Sequence, residues 1–265
     1  MIGDAYIFNG RLLEIDDQPI KLNSKNSTVV YEVFTWENNS AVFFDEHYKR
    51  LLKSVELKKL NSKNIPCKEE FLNHTTKLAN ANRFVKNNIR LDLIFSEDKF
   101  NHYLLYFTKS IFPTELQYKN GVNVGLCFGE RKIPNAKIAN SKIRRIANEK
   151  IADNNLFEVL LVNSENIITE GSRSNIFFVK NNTIYTSKVK RVLNGVTRQK
   201  VIEIANKINI EVKETDIKLE NISEYESAFL TSTAMIVLPI SNIENIRLSV
   251  KNKIIEKLYS SFLGL

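Results

Sequence analysis

Hydrophobic and polar positions in the first half of the chain follow strand and helix periods in turn. Apolar residues flank Asn9-Gly10, a dipeptide typical of two-residue hairpin turns. Asp45 precedes a helical apolar stripe and is the expected N-cap of the first helix. The pattern predicts a hairpin over 5–15, a strand over 28–36 with a return at 41–44, helices over 45–60 and 66–82, and paired strands over 89–96 and 103–108.

A break in this pattern over residues 112–121 predicts a domain boundary. The segment follows a finished sheet pattern and contains Pro113, Gln117 and Gly121. We therefore expect an N-terminal domain over 1–115 and a C-terminal domain over 116–265. The second domain is expected to contain strands over 122–128, 159–162, 167–169, 175–179, 183–186, 210–213, 228–231 and 235–240, and helices ending near 154, over 198–209 and over 250–262.

Composition narrows the class of protein. The 265 residues carry a net charge of +8, but the lysines are scattered among acids and form no basic stripe with aromatic residues, so no nucleic-acid partner is expected. Residues 1–10 are too polar for a signal peptide, and no apolar run is long enough to span a membrane. Cys67 and Cys127 lack metal or redox spacing, so we expect no metal and a cytoplasmic location.

The stretch 169–179, TEGSRSNIFFV, holds the most informative acid of the chain. Glu170 ends one apolar run, and a small polar turn separates it from the next run. A carboxylate at such a position needs a partner if it is buried, because an unpaired buried charge is unfavourable. From spacing alone, a solvated hairpin end remains the alternative.

Several stretches together carry a family resemblance: YEVFTW at 31–36, HYKRLLKS at 47–54, EGSRSNIF at 170–177, LNGVTR at 193–198 and LTSTAMIVLPI at 230–240. In this order the chain resembles the class IV aminotransferases, which use pyridoxal 5′-phosphate and include branched-chain and D-amino-acid aminotransferases and aminodeoxychorismate lyase. The resemblance implies fold type IV, a two-domain α+β or α/β protein. Its N-terminal α/β domain would be smaller, its C-terminal domain mixed and barrel-like, and the protein a homodimer.

Pyridoxal phosphate requires a lysine that forms a Schiff base with it, and the resemblance offers two candidates. Lys137 fits the family's K-x-x-N pattern and places Glu158 at the following strand without a gap. Choosing Lys142 instead would require a deletion within a helix. Lys137 is therefore the expected catalytic residue, and Lys142 a solvated charge.

The resemblance also implies the cofactor contacts. Glu170 would face the pyridine nitrogen, and Arg50 would grip the phosphate. Backbone amides at a helix N-terminus and nearby hydroxyls would complete the phosphate site. The remaining expected cofactor-binding residues are Asn175, Val196, Thr197, Ser232 and Thr233.

On the substrate side the resemblance implies Tyr31, Arg90 and Ala234, but it does not define a subtype. Phe100 stands where the D-amino-acid enzymes carry the arginine of an Arg-x-His clamp, although His102 is retained. The branched-chain enzymes' Asn-Tyr after the lysine is also missing.

The implied function is transfer of an amino group between an amino acid and a 2-keto acid. A lyase that releases pyruvate and 4-aminobenzoate from aminodeoxychorismate is the alternative. A degenerate cofactor or protein binder is a third possibility, which retention of both Lys137 and Glu170 disfavours.

Overall fold

The structure is a computed structural model that describes residues 1–15, 27–139 and 141–264. It divides into two compact units, of which the N-terminal unit contains Met1–Ile111 and Ala136–Ala139, and the C-terminal unit contains Phe112–Asn135 and Asn140–Leu265. Asn140, the last residue of the K-x-x-N pattern, lies outside the described residues.

The division expected at residue 115 would assign Ala136–Ala139 to the C-terminal unit. The segment instead belongs to the N-terminal unit, because its backbone pairs with that unit. Tyr31 N donates to Lys137 O at 3.0 Å, and Ala139 N donates to Val29 O at 2.9 Å. The segment therefore pairs with the edge of a strand that lies more than a hundred residues earlier in the chain.

The N-terminal unit is a six-stranded antiparallel sheet with two helices. Its strand order is β2-β1-β6-β5-β3-β4. The elements are β1 (Ile2–Phe8), β2 (Arg11–Glu14), β3 (Ser27–Glu37), β4 (Ser40–Ala41), α1 (Phe44–Leu57), α2 (Lys68–Asn82), β5 (Lys86–Ser96) and β6 (Lys99–Phe107).

Local turn chemistry explains the first hairpin and corrects the start of the first helix. Asn9 and Gly10 both have positive φ, as a two-residue hairpin turn requires, so the predicted hairpin is confirmed. The prediction of Asp45 as an N-cap is wrong: α1 begins at Phe44, and the N-cap is Phe43, with φ of 52°. Asp45 lies in the first turn, where the helix dipole also favours an acid, so the sequence does not separate the two positions.

Alternation along the strands gives the sheet two different faces. Ile89, Leu91 and Leu93 of β5 point into the main core of the unit, which also contains residues of α1 and α2. Ile94 and Leu104 belong to a smaller cluster on the opposite face. Helices thus cover one face, while the other face carries polar and aromatic side chains between its apolar ones.

The C-terminal unit is built on a ten-stranded mixed sheet. The elements are α3 (Glu115–Asn120), β7 (Val122–Phe128), α4 (Lys142–Asp153), β8 (Glu158–Val162), β9 (Ile167–Gly171), β10 (Asn175–Lys180), β11 (Thr183–Ser187), α5 (Val196–Lys207), β12 (Val212–Thr215), β13 (Ile217–Lys218), β14 (Ser227–Thr231), β15 (Leu238–Ile243), β16 (Ile246–Arg247) and α6 (Lys253–Leu263). Two 3₁₀ helices lie at Val189–Arg191 and Leu219–Glu224.

This sheet curls upon itself. Its order is β12-β11-β10-β14-β15-β7-β8-β9-β13, with β16 added beside β15. Ser187 Oγ on β11 donates to Ile168 O on β9 at 2.8 Å, which links the strands next to the two ends of the path and makes the unit barrel-like. β9 pairs with β8 and β13, and β10 with β11 and β14, so the hairpin alternative for 169–179 is wrong.

Within the three described ranges, none of the helices combines the length and apolar character needed to cross a membrane.

Candidate active site

The backbone of Lys137 is fixed from two sides within the N-terminal unit. Its carbonyl accepts from β3, as described above, and its N–H donates to Ser54 Oγ on α1 at 3.1 Å. The side chain is half-buried, and its Nζ lies 5.0 Å from the centroid of the Tyr31 ring. Lys142, the alternative lysine, is exposed at the start of α4.

Arg50 is held by a buried carboxylate that the sequence analysis did not identify. Its Nε donates to Glu32 Oε1 at 2.7 Å and its Nη2 to Glu32 Oε2 at 2.6 Å. His47, one helical turn earlier, donates from Nδ1 to Glu32 Oε2 at 2.9 Å. A signal for Glu32 exists, because Val30 and Phe34, on the same face of β3, are fully buried and an acid between them needs partners.

Electrostatics keep this cluster ionised. Burial disfavours the charge of Glu32, but the attraction of Arg50 and the hydrogen bonds from Arg50 and His47 outweigh it and lower the pKa of Glu32 to about 2. Burial also lowers the pKa of His47, against the opposing effect of Glu32. The cluster thus consists of an ion pair between Glu32 and Arg50 and a neighbouring His47, and burial disfavours protonation of that histidine.

Arg90 and Tyr31 lie together on the face of the sheet that the helices leave uncovered. The Arg90 guanidinium carbon is 4.3 Å from the centroid of the Tyr31 ring, a cation–π distance. Arg90 Nε also pairs with Asp92 Oδ1 at 2.7 Å, and Tyr106 OH donates to Asp92 Oδ2 at 3.1 Å. The structure thus brings Tyr31, Arg90 and Lys137 close together and adds Asp92 and Tyr106 to them.

Glu170 lies on β9 in the C-terminal unit, and its side chain is 3% exposed. Arg131 Nε pairs with Glu170 Oε1 at 2.7 Å, and the Leu193 N–H donates to Glu170 Oε2 at 3.0 Å. The guanidinium of Arg131 also donates to Ser172 O at 2.9 Å, and Arg144 donates to the same carbonyl. The partner that a buried acid requires is therefore Arg131, which no local pattern in the sequence marks.

A second buried acid supports the turn after Glu170. Glu158 is fully buried and accepts from Ser172 Oγ at 2.6 Å, Ser174 Oγ at 3.0 Å and the Arg173 N–H at 3.0 Å. A Cβ at Gly171 would lie 2.0 Å from Ser174 Oγ, so any larger residue there would displace this hydroxyl from its position beside Glu158. In the sequence, Glu158 only helps to select Lys137 as the expected catalytic lysine. In the structure, its carboxylate fixes the conformation of the Ser-rich turn.

Asn175, Val196 and Thr197 belong to one local structure around the N-terminus of α5. The helix begins at Val196, two residues before the predicted start, and Gly195 is an N-cap without a side-chain hydrogen bond. Asn175 Nδ2 donates to Leu193 O at 2.9 Å, and a Cβ at Gly195 would lie 2.2 Å from Asn175 Oδ1. The buried first turn of α5 therefore presents backbone N–H groups where no side chain caps them.

Ser232, Thr233 and Ala234 form a half-buried turn after β14. Thr231 stands opposite Asn175 in the ladder, which places this turn beside the strand that contacts the start of α5. Among the described residues Thr231 Oγ1 is buried and has no hydrogen-bond partner. A buried hydroxyl of this kind is uncommon in a protein and suggests a site for a ligand.

Known proteins resemble this chain over most of its length. The family described as amino-transferase class IV matches residues 29–243. A probable branched-chain-amino-acid aminotransferase of Rickettsia felis is 31% identical over 230 residues, which cover 80% of this chain and 76% of that protein. A D-alanine aminotransferase of Bacillus licheniformis is 25% identical over 251 residues, covering 90% and 88%.

The fold agrees with the sequence match. The crystal structure of the branched-chain amino acid aminotransferase of Escherichia coli superposes with a TM-score of 0.86, covering all of this chain and 95% of that one, at 18% identity. The family match spans both units and includes the motifs around Arg50, Lys137 and Glu170. The chain therefore belongs to the class IV aminotransferase family.

Proposed function

We propose that this protein transfers an amino group between an amino acid and a 2-keto acid with pyridoxal 5′-phosphate, and that Lys137 is its catalytic residue. Membership of the class IV family supports the reaction. The observation that carries the residue is the fixed backbone of Lys137, tied to both β3 and α1 while its Nζ stays beside Tyr31. A lysine that must reach one reacting atom benefits from such a rigid base.

The residues present fit the cofactor. Thr231 Oγ1 is buried without a partner, and the first turn of α5 lacks a side-chain cap. Both features suit an oxygen-rich group such as a phosphate, because helix N-terminal N–H groups and hydroxyls are common phosphate donors. When bound, pyridoxal phosphate would supply an electron sink for the bond broken at the substrate Cα. The residues proposed to hold the phosphate are Arg50, Val196, Thr197, Ser232 and Thr233, with Asn175 supporting them.

Glu170 is proposed to hold a proton on the pyridine nitrogen. Its ion pair with Arg131 and its hydrogen bond from Leu193 fix both carboxylate oxygens, so the group has a defined orientation. Lys137 Nζ would remove the proton from the substrate Cα. Tyr31, Arg90 and Ala234 are proposed to contact the substrate.

Two variants test the role of Lys137. In K137A we expect loss of the absorbance of lysine-bound cofactor and of transamination with every member of a panel of L- and D-amino acids. K142A, a matched lysine in an exposed position, should retain both. Transamination by K137A at the wild-type rate would overturn the assignment.

Assays of the wild-type enzyme distinguish transamination from the lyase activity and from cofactor binding without turnover. Pyruvate release from aminodeoxychorismate, with no turnover of the amino-acid panel, would replace the proposal with the lyase. Cofactor whose absorbance no amino donor changes would indicate a non-catalytic binder.

The proposal includes a cytoplasmic homodimer. The family resemblance supports the dimer, and the free state of Cys67 and Cys127 is compatible with a reducing compartment. Light scattering after size-exclusion chromatography tests the dimer, and cell fractionation tests the location.

A further inference from the structure

The connection between β14 and β15 contains the two hydroxyl groups proposed to bind the phosphate. It is folded back on itself, because Ser232 O accepts from the Met235 N–H at 3.2 Å and from the Ile236 N–H at 3.0 Å. The connection thus forms a single helical turn that begins at Ser232. The shape of this turn determines where the hydroxyls of Ser232 and Thr233 lie relative to the buried, unpartnered hydroxyl of Thr231.

Ile236 ends this turn in a backbone conformation that a β-branched residue rarely adopts. Its φ is 52°, in the left-handed region. A branched side chain is strained there, because its Cβ crowds the neighbouring backbone. Such strain persists only where surrounding contacts enforce it, and it is most common at ligand-binding and active sites. The turn therefore depends on contacts beyond its own backbone.

Side-chain packing provides part of this support. Met235 is buried in the cluster that also includes Tyr118 at its margin. Ile236 packs against a different cluster, which contains Val237 and the apolar faces of α5 and α6. Successive side chains thus enter different clusters, and the left-handed backbone at Ile236 accompanies this change of direction.

Tyr118 on α3 contacts the backbone of the turn directly. Its hydroxyl donates to Met235 O at 2.8 Å. Burial raises the pKa of the Tyr118 hydroxyl, so the group remains a neutral donor. A capping box between Thr114 and Gln117 fixes the start of α3. The Tyr118 ring also packs against that of Tyr259 on α6, with the centroids 5.0 Å apart, so the donor is held from two directions.

We propose that Tyr118 is a positioning residue for the cofactor phosphate, because it fixes the Met235 carbonyl and thereby keeps the strained turn in its phosphate-binding conformation. Without this hydrogen bond, Ile236 can relax from the left-handed region, and the hydroxyls of Ser232 and Thr233 then move with the turn. Tyr118 acts through the backbone of the turn. This inference rests on the proposed function, in which the turn binds phosphate.

A purely structural role for Tyr118 predicts a different result. Loss of its hydrogen bond would then lower the free energy of unfolding and weaken the binding of every form of the cofactor alike. Pyridoxal separates the two roles, because it has the ring and aldehyde of pyridoxal phosphate but lacks the phosphate.

The test compares the dissociation constants of pyridoxal phosphate and pyridoxal for the apoprotein by equilibrium titration. Y118F keeps the ring and should fold, which urea unfolding verifies. It should weaken binding of pyridoxal phosphate about fivefold, the effect of one hydrogen bond, and change binding of pyridoxal by less than about twofold. Y259F is the matched control, since it removes a hydroxyl from the neighbouring ring, and it should change neither constant by more than about twofold.

Inorganic phosphate gives a second measurement that requires no catalysis. As a competitor of pyridoxal phosphate, it should have an inhibition constant about fivefold higher in Y118F and close to the wild-type value in Y259F.

Equal weakening of both cofactor forms in Y118F, or wild-type constants in this variant, would overturn the inference. An effect of Y259F as large as that of Y118F would also overturn it. A wild type that does not bind pyridoxal phosphate, or binds it no more tightly than pyridoxal, would instead refute the proposed function.

Discussion

Replacement of Glu32 by glutamine tests whether Arg50, the arginine proposed to bind the phosphate, depends on a buried ionised carboxylate. Glu32 is 1% exposed, and its pKa is lowered from 4.5 to about 2 by Arg50 and His47 despite burial. Each pKa unit corresponds to about 1.4 kcal/mol, so ionised Glu32 contributes about 3 kcal/mol to the free energy of unfolding at neutral pH. E32Q should lose about this amount, because Arg50 is left without its charged partner.

The contribution of Glu32 to the free energy of unfolding should decrease as the pH falls. Since the pKa of Glu32 is lower in the folded protein, its contribution is fully present above the unfolded pKa near 4.5 and declines as pH falls toward about 2. Urea unfolding of wild type and E32Q between pH 7 and pH 2 measures it. The difference in unfolding free energy should be largest at pH 7 and should shrink steadily below about pH 4.5.

A matched control lies on the same strand. Glu37 pairs with Lys86 at 2.8 Å, but both side chains are at least one-third exposed. E37Q should change the unfolding free energy by less than about 1 kcal/mol, because exposed ion pairs contribute little. An E32Q effect as small as that of E37Q, or one independent of pH, would refute the reasoning about Glu32.

Three further substitutions test the C-terminal unit. T231V should leave the unfolding free energy of the apoprotein within about 0.5 kcal/mol of wild type, because the Thr231 hydroxyl has no hydrogen-bond partner there. The same variant should weaken cofactor binding about fivefold or more in a titration, and an unchanged affinity would place the hydroxyl outside the site. R131M should lower the unfolding free energy by about 3 kcal/mol, because it removes the guanidinium that pairs with the buried Glu170 carboxylate. R145M, in an exposed pair with Glu149, should lower it by less than about 0.5 kcal/mol, and equal effects would contradict the pairing. G171A should destabilise the protein by at least about 2 kcal/mol in urea, since its Cβ would lie 2.0 Å from Ser174 Oγ, and a neutral result would show that the turn can relax.

Elements governed by neighbouring residues could be predicted from the sequence. The Asn9-Gly10 hairpin follows from turn chemistry alone, and β7 has the predicted bounds, because polar segments flank its apolar run. The predicted start of α5 is two residues late, since Val196 and Thr197 also fit a strand and no capping side chain marks Gly195. α3, at Glu115–Asn120, was not predicted because the boundary signals in that segment masked its capping box.

Interaction partners that lie far apart in the chain could not be predicted from the sequence. Glu170 was recognised as an acid that needs a partner, but nothing selects Arg131 among 38 lysines and arginines. The position of Lys137 on the edge of β3 depends on a long-range pairing that no local pattern encodes. Glu32 is a missed case of a different kind, because its position on the buried face of β3 was readable from alternation.

Lys137 is the residue proposed to hold the cofactor. Holoenzyme reduced with borohydride and digested with protease allows the cofactor-modified lysine to be located by mass spectrometry. We expect modification of Lys137 alone, with Lys142 unmodified. Modification of Lys142 or another lysine in place of Lys137, or a reduced protein without any modified lysine, would contradict it.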